Sequence, residues 1–205
     1  MMFRKSNKLQ NVLIMVSIFD FTHRFKRSML EIISDIPIEF LWNYLNPLQK
    51  EKLPANILFR VVAGKKAYDI IRLYESGENF YSRKVIDVLS QFIDMSDKCY
   101  PIDICGIKEQ YYVIYNLNAY SFLNREEELF MYDPRFFEVS NGLQPPLFGV
   151  KGTKCIMVSE EVKNALLKNK ISNIELIEGF GCTQEEYEEI KRTKFQPKVH
   201  VFRDK

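Results

Sequence analysis

The sequence predicts an α+β fold, a mixed or mostly antiparallel sheet carrying short capped helices, and three observations lead there. The first is the stretch 154–177, which spells a strand, a helix with an N-terminal cap, a turn and a second strand. The second is a weaker copy of that pattern at 80–104, which suggests two pseudo-repeated strand–helix–strand units. The third is composition: of 205 residues, 46% are hydrophobic and 27% charged, enough apolar side chains for one full-sized core without staples.

Along the chain, Arg4, Lys5 and Lys8 precede the apolar run 11–19. That order imitates a secretory signal, yet no small-residue cleavage site follows and Asp20, His23 and Arg24 come at once, so a buried strand is expected. The run is also shorter than the roughly 18 apolar residues of a membrane helix. Residues 24–33 and 38–45 have helical spacing, broken by Pro37 and Pro47. The polar stretch 46–52 and Pro54 mark a boundary between an N-terminal extension, 1–54, and a main domain, 55–205. Beyond it, 57–62 and 67–73 read as two strands paired across a turn at Gly64, Lys65 and Lys66.

In the first unit Phe80 and Tyr81 form a short strand and Ser82 caps a helix. Val85, Val88, Leu89 and Phe92 then fall at i, i+3, i+4 and i+7, one buried helical face. A strand at 100–105 follows, with 111–117 as its antiparallel neighbour. Residues 118–139 mix the acidic run Glu126, Glu127 and Glu128 with aromatics and Asp133-Pro134, and little regular structure is expected. A strand at 147–150 leads into the second unit. There Ser159 is the N-cap, Glu160 and Glu161 complement the helix dipole, and Lys168 and Lys170 stand in the last turn. Val162, Ala165 and Leu166 face inward, Ile171 closes the turn, and 174–177 alternates as a strand. The two units correspond as Ser82 to Ser159, Val85 to Val162 and Leu89 to Leu166. Finally Thr183-x-x-Glu186 opens a charged peripheral helix to about Lys194, and 199–202 forms a short edge strand or tail.

A net charge of +2 is too small for a general nucleic-acid binder. The sign varies along the chain: 9 Lys and Arg against 5 Asp and Glu in residues 1–60, 9 against 13 in 61–150, and 11 against 9 in 151–205. Cys99, Cys105, Cys155 and Cys182 fit no zinc or redox spacing and read as buried free thiols of a cytoplasmic protein. Cys99 and Cys105 lie at i and i+6 on one strand, on the same face and too far apart to bridge. His23 and His200 stand far from any acid or thiol cluster, so neither a metal nor a cofactor is expected. Gly64-Lys65-Lys66 lacks the rest of a phosphate loop. The basic stripe 19–27, with Phe19, Phe21 and Phe25, has the residues to stack a nucleic acid but reads better as a packing segment. No catalytic residue is expected.

The residues Val150-Lys-Gly-x-x-Cys-Ile-Met-Val-Ser-Glu-Glu-Val-Lys-x-Ala-Leu166, followed by Ile171-x-x-Ile174-Glu-Leu, resemble a family of bacterial immunity proteins from polymorphic toxin systems. The resemblance covers roughly residues 57–180. Where that family commonly has a glycine before the closing strand, this chain has Ser172-Asn173. The resemblance implies a non-enzymatic protein that neutralises a cognate toxin by direct binding in the producing cell, with no nucleic-acid or membrane partner. Under it, the contact residues expected are Glu126, Glu127, Glu128, Phe130, Tyr132, Phe136 and Phe137, an acidic and aromatic surface suited to steering and anchoring. Two alternatives stand beside it: an enzyme with carboxylates dispersed in sequence, and a nucleic-acid or membrane-surface adaptor acting through the basic N-terminal segment.

Overall fold

The computed structural model describes residues 17–120, 136–138, 145–182 and 199–201. They form an α+β protein of two mostly antiparallel sheets and three short helices. One sheet contains β2 (Glu31–Ser34), β3 (Phe59–Ala63), β4 (Ile70–Leu73), β5 (Asn79–Ser82), β6 (Cys99–Ile102), β7 (Ile104–Cys105) and β8 (Tyr111–Ile114), in the order β6-β8-β5-β4-β2-β3-β7. Its two ends, β6 and β7, are consecutive in the chain and separated only by Asp103. The sheet therefore closes on itself. One kinked strand pairs antiparallel with β8 through its first half and parallel with β3 through its second.

Alternation explains the closure. Tyr100, Ile102 and Ile104 are buried while Pro101, Asp103 and Cys105 are exposed, so every second side chain points into the barrel across the kink. The interior takes at least one apolar side chain from every strand, among them Ile32, Phe59, Ile71, Leu73, Phe80, Tyr111 and Val113. Phe59 and Phe80 meet edge to face at 5.4 Å. The Tyr111 phenol, buried in the barrel, donates to the Tyr68 carbonyl at 2.7 Å. Helix α1 (Ile38–Leu41) and the chain after it bring Leu41, Leu45, Leu53 and Ile57 to the same core.

The second sheet is built around β1 (Ser17–His23), flanked antiparallel by β12 (Ile156–Ser159) and β13 (Ile174–Cys182). Further strands are β9 (Ala119–Tyr120), β10 (Phe136–Glu138), β11 (Leu147–Val150) and β14 (Val199–Val201). β11 pairs β12, β9 pairs β11, and β10 and β14 pair β13. Helices α2 (Arg83–Leu89) and α3 (Glu160–Lys168) pack against each other between barrel and sheet. Their Val85, Val88, Leu89, Val162 and Leu166 share one core with Phe19 and Phe21 of β1 and with Ile70, Tyr81 and Ile114 on the outside of the barrel.

The two sequence units are topologically alike. In each, a strand leads through a helix to a second strand parallel to the first, with one antiparallel strand between them: β5-α2-β6 around β8, and β12-α3-β13 around β1. A polar latch joins them. The Asp69 carboxylate accepts from the Ser82 hydroxyl at 2.9 Å, and from the Ser172 amide and hydroxyl at 2.7 Å each. Asn173, at φ 60° beside it, donates to the Ile70 carbonyl at 3.0 Å.

Several expectations are corrected. A boundary at residue 54 does not divide this structure, because β1 is the central strand of one sheet and β2 an inner strand of the barrel. Residues 24–33 are turn and strand rather than helix; Met29, Leu30 and Ile32 are all buried in the barrel core, and pairing of β2 with β3 and β4 outweighs the helical spacing. Strands β3 and β4 do not pair with each other, since β2 lies between them, antiparallel to β3 and parallel to β4. Ser159 caps α3 by accepting from the Val162 amide at 3.4 Å, whereas Ser82 holds the capping position of α2 but gives its hydroxyl to Asp69. Cys99 and Cys105 do share the outer face of their strand; Cys105 is exposed and Cys99 half-buried rather than fully buried. No helix among the described residues is long and apolar enough to cross a membrane.

Candidate interaction surface

Where the barrel meets the second sheet, a series of side-chain contacts runs along a rim outside the barrel core. β4 and β5 each send alternate residues outward, which places Arg72 opposite Asn79. Arg72 lies over the Phe25 ring at 4.8 Å and pairs with the Glu31 carboxylate. Asn79 accepts from His23 Nδ1 at 2.6 Å. Next to Asn79, the Glu78 carboxylate is buried and satisfied by the Ser76 hydroxyl and the Lys154 ammonium. Lys154 in turn stands 5.7 Å from the centre of the Trp42 ring.

Phe25, Tyr74 and Trp42 along this rim are 57%, 56% and 47% exposed, large apolar surfaces that the core does not use. Two of the three stack against a cation, and Tyr74 leads the tight turn 74–78, held by its amide bond to the Ile32 carbonyl at 2.8 Å. The aromatic groups are thus carried on short connections directly after β1, α1 and β4.

Below the rim is a small cleft of about 220 Å³ lined in part by Asp20, Thr22, Glu78, Asn79, Lys154 and Cys155. Burial pushes the Asp20 carboxyl up to about 6, with the nearby Glu175 carboxylate adding to the effect. Burial lowers the pKa of His23, opposed by its bond to Asn79, so the imidazole is neutral at physiological pH and serves as a hydrogen-bond donor. The Tyr81 phenol, stacked on Phe21 at 5.1 Å, is pushed well above its ordinary value by burial. Among the described residues no group of three or more His, Cys, Asp or Glu side chains could hold a metal ion.

Of the expected contact residues, Phe136 and Phe137 lie in β10, paired parallel with β13 at Phe180 and Gly181. Glu126, Glu127, Glu128, Phe130 and Tyr132 lie outside the described residues, as do the proposed helix 183–194 and residues 1–16. His200 is in β14 opposite Leu176. In the basic stripe, Phe19 and Phe21 are 1% exposed and belong to the core, so neither offers a face for stacking a base. Sequence reasoning missed Arg72, Tyr74, Trp42 and Lys154. They share no sequence signal: Arg72 is on β4, Tyr74 in the turn after it, Trp42 just past α1 and Lys154 before β12, and nothing in those local patterns says that they meet.

No family model, curated protein or solved structure matches this chain significantly.

Proposed function

We propose that the protein is a non-catalytic immunity protein that neutralises a cognate bacterial toxin by binding it directly in the cytoplasm of the producing cell. The observation that carries this reading is the rim of exposed Phe25, Tyr74 and Trp42 on short connections, with Arg72 of β4 over Phe25 and Lys154 over Trp42. Aromatic and arginine side chains held in place this way are the usual anchors of tight protein–protein contacts, because little conformational entropy is lost when they are buried. The charged groups beneath them are already paired, Glu78 with Lys154 and Glu31 with Arg72, which suits a contact surface that must exclude water without leaving buried charge unmatched. Glu126, Glu127, Glu128, Phe130, Tyr132, Phe136 and Phe137 form a second candidate contact region, to be probed separately.

The test is co-expression in a heterologous host with the toxin encoded beside this gene. Growth should be rescued by the wild-type protein and lost with the triple variant F25A/Y74A/W42A, provided the variant melts like wild type. If no toxin is encoded nearby, or the wild-type protein rescues no growth, the reading fails.

A further inference from the structure

Two basic motifs that are 40 residues apart in sequence, Arg24 to Arg27 and Lys65-Lys66, form one patch in the fold. The Lys65 and Lys66 amides both donate to the Ser28 carbonyl, at 3.0 and 2.8 Å, and the Leu30 amide donates to the Lys66 carbonyl at 3.2 Å. These bonds clamp the turn 24–28 against the turn 64–66. Gly64 makes the approach feasible, since it sits at φ 77° and a β-carbon there would overlap the Met29 carbonyl. Between the turns, Lys26 and Lys66 lie 4.7 and 4.6 Å from the centre of the Tyr68 ring.

Arg24, Arg27, Lys65 and Lys66 are all exposed, and none of them makes a salt bridge among the described residues. The adjoining acids are occupied elsewhere: Asp69 by Ser82, Ser172 and Lys84, and Glu31 by Arg72. The patch therefore has a concentrated positive charge on a protein whose net charge is only +2.

We propose that these paired turns are the docking patch for an acidic protein surface, with carboxylates seated on Arg24, Arg27, Lys65 and Lys66. This rests on the toxin-binding reading above and names the chemistry of the toxin face that meets this end of the rim, since Phe25 of the same turn stacks with Arg72. Two observations favour carboxylates over a phosphate-bearing occupant. The amides of Lys65 and Lys66 are consumed by Ser28, so this glycine turn has no free N–H cradle for a phosphate. Tyr68 is 7% exposed and covered by two lysines, so it is no platform for a base, which leaves Phe25 as the one exposed ring in the patch.

The experiment compares the full chain with R24Q/R27Q/K65Q/K66Q and with a control of equal charge loss on other exposed lysines, K50Q/K108Q/K151Q/K168Q. Each is titrated, near physiological salt, with a labelled peptide of glutamate and tyrosine, a single-stranded RNA of matched length, and phosphatidylserine vesicles. Wild type and control should bind the peptide alike, and the patch variant should bind about tenfold more weakly or worse, as expected for lost charge complementarity. The inference is overturned if patch and control variants bind the peptide equally, or if wild type binds the RNA or the vesicles through this patch more tightly than the peptide. It is also overturned if the patch variant neutralises the neighbouring toxin as quickly as wild type. Failure of the wild-type protein to neutralise any toxin sinks the functional reading instead, while the peptide titration still decides the patch.

Discussion

Replacing Asp20 with asparagine should make the protein more stable at neutral pH and remove part of its pH dependence. Asp20 lies on β1, half-buried, paired across the sheet with Met157 on one side and Ile177 on the other. Burial and the Glu175 carboxylate disfavour its ionised form. An acid whose folded pKa is raised costs nothing below its unfolded value, costs progressively more as pH rises through the interval, and costs the full amount above the folded value. For a carboxyl moved from 3.8 to about 6 the full cost is about 3 kcal/mol, and partial exposure to solvent reduces it to about 2 kcal/mol. Asparagine keeps the shape and cannot ionise. Urea unfolding of wild type and D20N at about pH 4 and about pH 7.5 should give nearly equal stabilities at the lower pH and a gain of about 2 kcal/mol for the variant at the higher one. An equal difference at the two pH values, or no gain at about pH 7.5, would refute the assignment of a strained carboxylate to this position.

Other outcomes follow from the same packing. Ser159→Ala should lower stability by about 1 kcal/mol through loss of the α3 cap, measured by denaturant unfolding, without affecting partner binding. Asp69→Ala should cost about 2–3 kcal/mol and increase hydrogen exchange at the Ser172 amide, because Ser82 and Ser172 lose a shared acceptor. Gly64→Ala should cost about 2 kcal/mol or more, since the left-handed backbone and the Met29 carbonyl both resist a β-carbon, and a lowered melting temperature would report it. Phe80→Ala should cost about 3–5 kcal/mol by opening a cavity inside the barrel.

What could be read from the sequence was local. The unit from β12 to β13 shows every signal in place, from Ser159 and the glutamates behind it to Leu166 and Ile171, and it folds as those residues dictate. The alternation of Tyr100, Ile102 and Ile104 also marked a strand with one buried face. The short-range pairing with β8 follows the order of the chain, but the alternation could not reveal that this strand changes partners at Asp103, because its second half pairs with β3, more than 40 residues earlier. The same reasoning explains Ser82. A serine before a helical face signals a cap, and only the fold brings Asp69 close enough to claim its hydroxyl. The interaction rim was illegible for a like cause: Arg72, Lys154, Trp42 and Phe25 come from four separate stretches of chain and are joined only by the docking of barrel on sheet.

The closure of one sheet through residues 99–105 limits how a partner can recognise the barrel. An open sheet offers a row of unpaired amides and carbonyls to which a foreign strand can add, with affinity coming from the main chain and little demand on side-chain identity. In the barrel that row is shortened, because the strand 99–105 covers the edge of β8 with its first half and the start of β3 with its second. Recognition there rests mainly on side chains. Residues such as Phe25, Trp42 and the basic pairs at the two turns would then decide which partner is accepted, and single substitutions among them should redirect specificity while the scaffold stays unchanged.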